Sequence, residues 1–90
     1  MKTFETSRLI SGNRIFPTKI TIDFNKVIIK KSGILSSDEN VIPISKIVSV
    51  KINTPIFNFS SLEIVTENET IKIDGLSKSD VKEMRELILD

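Results

Sequence analysis

Apolar residues recur along the chain in two rhythms, a period of two up to Gly75 and a period of three to four after it. Between Phe16 and Phe24, Ile20, Ile22 and Phe24 alternate with Lys19, Thr21 and Asp23, which predicts a half-buried strand with Phe24 on its core face. Asn25 and Lys26 form a polar break before Val27, Ile28 and Ile29, so residues 19 to 31 read as a hairpin whose second strand ends near Gly33. Ser36, Ser37, Asp38, Glu39 and Asn40 contain no apolar member and read as a solvated turn. Val41, Ile42 and Ile44 then resume the apolar pattern around Pro43, which cannot donate a ladder hydrogen bond and so places its strand at an edge or ends it.

The next run puts Val48, Val50 and Ile52 toward the core, alternating with Ser49, Lys51 and Asn53, until Pro55 stops it. Leu62 with Ile64, and Ile71 with Ile73, mark two more strands joined through Glu67, Asn68 and Glu69. At the start of the chain Phe4, Leu9 and Ile10 supply a first strand before the loop Ser11, Gly12, Asn13. After Gly75 the period changes. Ser77 can accept a hydrogen bond from the free N–H groups of a first helical turn, and Asp80 complements the positive end of the helix dipole. Val81, Met84, Leu87 and Ile88 make one apolar stripe along a helix of about 12 residues, too short to be stable in water unless it docks on the sheets.

Consecutive hairpins followed by one terminal amphipathic helix resemble the pleckstrin-homology (PH) superfold. In particular, the run Ile42, Pro43, Ile44, Ser45, Lys46, Ile47, Val48, Ser49, Val50 is similar to the apolar-Pro-apolar strand, short turn and Ile-x-x-Val strand of bacterial PH-like domains. Leu62 to Thr66, Thr70 to Asp74, Gly75, Leu76 and the capped helix follow in the family's order, so the resemblance spans residues 15 to 89. It implies a mostly β (β+α) fold, a partly open antiparallel barrel of about seven strands capped by one C-terminal helix. A small SH3-like or OB-like barrel is the competing closure, and it has less need of so clean a terminal helix. In the loop Ser11 to Arg14 only Arg14 is basic, so the resemblance does not carry the phosphoinositide signature of eukaryotic PH domains.

Composition narrows the function. Ninety residues suit one core, and a single PH-like domain over residues 1–90 is expected. Thirteen basic and twelve acidic side chains leave a net charge of +1, so no whole-molecule field draws nucleic acid to the chain, and none is expected as a partner. The absence of Cys and His removes disulfides, thiol nucleophiles, the usual metal ligands and the usual general base, and with them most enzyme classes and any implied cofactor. No signal-peptide pattern and no membrane-length apolar run occur, which points to a cytoplasmic setting or one peripheral to the inner face of the membrane.

Gly12, Gly33 and Gly75 lie too far apart to form a phosphate loop. Asp38 with Glu39, and Glu67 with Glu69, fall in predicted exposed turns, where solvated charge is the stronger reading than an acid and base pair. Arg14, Lys19, Lys26, Lys30 and Lys31 could form an anion or lipid patch, or simply keep a sheet surface soluble. Ile56, Phe57 and Phe59 could anchor a partner, or roof the core. The expectation is a noncatalytic module that binds a protein partner or self-associates, for instance by strand addition at a free edge. The alternative is peripheral binding of anionic lipid or phosphoinositide through the basic hairpin.

Overall fold

The computed structural model describes residues 1–6, 18–32, 37–55 and 59–89. It contains seven strands, β1 (Lys2–Glu5), β2 (Lys19–Ile22), β3 (Lys26–Ser32), β4 (Ser37–Pro43), β5 (Ile47–Asn53), β6 (Ser60–Thr66) and β7 (Thr70–Leu76), then helix α1 (Lys78–Leu89). The strands form two antiparallel sheets in sequential order, β1-β2-β3-β4 and β5-β6-β7. The barrel is therefore not closed, and a single 3₁₀ turn, Ile44–Lys46, carries the chain from one sheet to the other.

Strand alternation fixes what each face of the first sheet presents. Phe4, Ile20 and Ile29 are laterally aligned on β1, β2 and β3, as are Ile22, Val27 and Ile42 on β2, β3 and β4, and all six are buried. The second sheet adds Leu62, Ile64 and Ile73 to the same core. α1 closes it by packing against β2, β5 and β6 with Val81, Met84 and Ile88 buried. Burying side chains of this size stabilises by about 1.5–3 kcal/mol each relative to solvent exposure, which is why a short helix with one apolar stripe holds its place.

The helix start follows its sequence signal. Ser77 Oγ accepts the Asp80 N–H at 3.1 Å, and the Val81 N–H donates to the Ser77 carbonyl at 3.1 Å. Just before it, Gly75 has φ 82° and is buried. Asp74 and Gly75 together face the single residue Ser61, a β-bulge that turns β7 toward the helix. At the far end of the chain, Lys2 of β1 pairs with Glu83 of α1 and lies 5.4 Å from the centroid of the Phe4 ring.

Four expectations need correction. Phe24 is not a core residue: Ile22 pairs with Val27, which leaves Phe24 and Asn25 as the tip of a tight turn, and Phe24 is 89% exposed. Val48 is 64% exposed, because the pairing shifts between Ile47 and Ser49 and ejects it as a bulge. Asp38, Glu39 and Asn40 belong to β4 rather than to a turn, paired with Lys31, Lys30 and Ile29. Leu87 is 41% exposed, at the margin of the helical stripe. Pro43 ends β4, which is also an edge strand, as its chemistry requires.

Candidate functional site

Of the proposed basic residues that are described, Lys19, Lys26 and Lys30 share one face of the first sheet and Lys31 does not. In strands, alternate residues face opposite ways, so Lys26 and Lys30 share the outer face of β3 while Lys31 belongs to the inner one. Lys31 lines a cleft of about 210 Å³ with Asp38, Asn40 and Ile71, between β3, β4 and β7. On the outer face Glu5, Lys19, Lys30 and Glu39 stand in one row across all four strands, and Lys19 Nζ lies 3.9 Å from Glu5 Oε1. The row is neutral, with an acidic residue beside each lysine in the register. Arg14 lies outside the described residues, as do Ile56 and Phe57 of the candidate apolar loop; Phe59 is 41% exposed.

A more developed surface lies where β4 passes into β5. There Asn40–Pro43, the 3₁₀ turn, the start of β5 and the β6–β7 turn enclose a groove of about 400 Å³. β4 is the last strand of its sheet, so one side of its backbone has no strand partner among the described residues. Val41, 49% exposed, and Val48 both line the groove, and Pro43 lies between them along the chain.

The facing wall is the β6–β7 turn, and Thr66 makes it rigid. Its Oγ1 accepts the N–H groups of Asn68 (3.3 Å) and Glu69 (3.1 Å) and donates to the Glu69 carbonyl (3.1 Å). The Thr66 N–H donates to the same carbonyl at 2.8 Å. This holds the exposed Glu67 and Glu69 at the groove's edge, opposite Lys46.

The model for the bacterial PH domain matches residues 7–90. The chain belongs to the bacterial PH domain family. Two antiparallel sheets of four and three strands with a C-terminal helix are the architecture that this PH domain shows in space. Comparison with curated proteins and with solved structures returned no match. PH-like domains are in general noncatalytic interaction modules, and that is the class of function family membership supports. Among the described residues of this PH domain, no helix is long and apolar enough to cross a membrane.

Sequence reasoning missed the groove for a definite reason. Its apolar lining includes Val48, which alternation assigned to the core, and its acidic wall consists of residues that read as ordinary turn charges. A signal was present nonetheless: Pro43 and the polar 3₁₀ residues Ser45 and Lys46 mark a sharp corner, and corners between sheets create concave surfaces.

Proposed function

We propose that this PH domain is a noncatalytic protein-recognition module, working through the corner between β4 and β5. The observation that carries the reading is a strand edge with no strand partner among the described residues, bordering a groove with two exposed valines, Val41 and Val48. Backbone groups at such an edge can pair with an extended segment, while the adjoining groove accepts a side chain and supplies selectivity. The cysteine-free composition supports work in the cytoplasm.

Photo-crosslinking in the native cell tests this. A photoreactive residue placed at Val41 or Val48 is expected to give discrete covalent protein adducts. The same residue at exposed Lys72, away from the groove, is expected to give none. Equal labelling at all three positions, or no protein adduct at the valines, overturns the reading.

A further inference from the structure

The most exposed aromatic side chain among the described residues is Phe24, and the turn that carries it has no structural need of it. The tip is held by backbone and by Asp23: the Asp23 N–H donates to the Lys26 carbonyl, and Asp23 Oδ1 accepts the Phe24 N–H, both at 2.9 Å. Hairpin tips of this length favour Gly, Asn and Asp, so a phenyl ring standing in water costs solubility and contributes nothing to the fold.

Its position gives it a use. The Asn25 carbonyl beside it accepts the Ile44 N–H at 3.0 Å, and Lys26 stands opposite Pro43. The aromatic tip therefore lies next to the rim of the β4–β5 groove, whose lining includes Pro43 and Lys46. A projecting ring thus sits beside a recess of mixed lining that includes Val41 and Val48. Lys26 stands beside the tip, and Glu67 and Glu69 lie on the recess wall with Lys46 across from them.

Resting on the proposed function, we infer that the protein recognised at this corner is a second copy of the same chain, bound about a two-fold axis, with Phe24 of each copy seated in the groove of the other. An isologous contact demands a self-complementary surface, in which residue i meets j and j meets i. This face supplies both halves, ring against Val41 and Val48 and Lys26 against Glu67 and Glu69. Because projection and recess are neighbours, the exchange closes after two copies rather than running on as a filament.

Sedimentation equilibrium of the purified full chain, over a concentration series reaching the millimolar range, tests the inference. The chain is expected to dimerise reversibly. Phe24→Ser is expected to keep the wild-type melting temperature of the monomer and to weaken dimerisation by about tenfold or more, the loss typical of an aromatic anchor. Two charge-reversed variants, one with Lys26→Glu and the other with Glu67→Lys and Glu69→Lys, are each expected to be monomeric alone and to associate when mixed. A monomeric wild type, an unchanged Phe24→Ser dimer, or reversed variants that stay apart on mixing overturns the inference. If the wild type is monomeric while Val41 or Val48 crosslinks to a different protein in the cell, self-association fails alone and protein recognition stands.

Discussion

Lys19 and Lys30 occupy directly opposed positions on β2 and β3, two like-charged residues side by side on the exposed face of the first sheet. Only their outer neighbours, Glu5 and Glu39, offset the repulsion. Exchanging the charges of one outer pair, Lys30→Glu with Glu39→Lys, turns the row into strict alternation and makes every lateral contact attractive. The double variant is expected to gain about 0.5 kcal/mol over wild type at low salt, within the range for exposed cross-strand pairs, and to lose that gain as salt screens it. Lys30→Glu alone is expected to be near neutral and Glu39→Lys alone destabilising. Urea unfolding at low and high ionic strength reads the order.

Along α1, Met84 and Leu87 look equivalent in sequence and are not equivalent in space. Met84 is fully buried against the sheets, whereas Leu87 is partly in water. Met84→Ala is expected to cost about 2–5 kcal/mol through lost burial and an unfilled cavity, and Leu87→Ala less than about 1 kcal/mol. Denaturant midpoints of the two variants with an unchanged slope would check this.

The same comparison shows what sequence can and cannot carry. The helix and most of the strands follow from local rhythm, because alternation and the three-to-four step are imposed by backbone geometry. Phe24, Val48 and Leu87 escape that logic for separate reasons. Phe24 continues the alternation of β2 one step beyond the point where pairing of Ile22 with Val27 turns the chain. Val48 sits at a bulge set by the partner strand β6. Leu87 lies about 100° around the helix from Ile88, at the limit of what a narrow contact covers. The polar run Ser37–Asn40 is a strand because β3 supplies its hydrogen bonds, which no property of its own side chains announces. Two of the three misplaced apolar residues, Phe24 and Val48, then reappear at the candidate interface. The groove was thus hidden by the very rule that located the core.

Gly75 is a position where a side chain is excluded on steric grounds. Its φ of 82° lies in the region that a Cβ penalises, and the residue is buried at the bulge that precedes the helix. Gly75→Ala is expected to cost about 1–2 kcal/mol from the backbone term, and thermal unfolding measures it. An unchanged melting temperature would mean that the bulge relaxes without loss.

Ser60 makes the opposite case. Its hydroxyl is fully buried in β6 and has no hydrogen-bond partner among the described residues. Burial of an unpaired polar group opposes folding, so Ser60→Ala is expected to be neutral or up to about 1 kcal/mol more stable. A loss of stability on this substitution would show that the hydroxyl has a partner in solution.

The closure of the two sheets by α1 has a consequence during synthesis. All the strand pairings join segments adjacent in the chain, so each sheet can assemble as its hairpins emerge from the ribosome. Val81, Met84 and Ile88 are made after all of them, and until they arrive the interior wall of β2, β5 and β6 faces water. Nascent chains stalled before residue 78 should therefore be the species that chaperones hold and proteases cut, and release of a dozen further residues should be the event that ends that exposure.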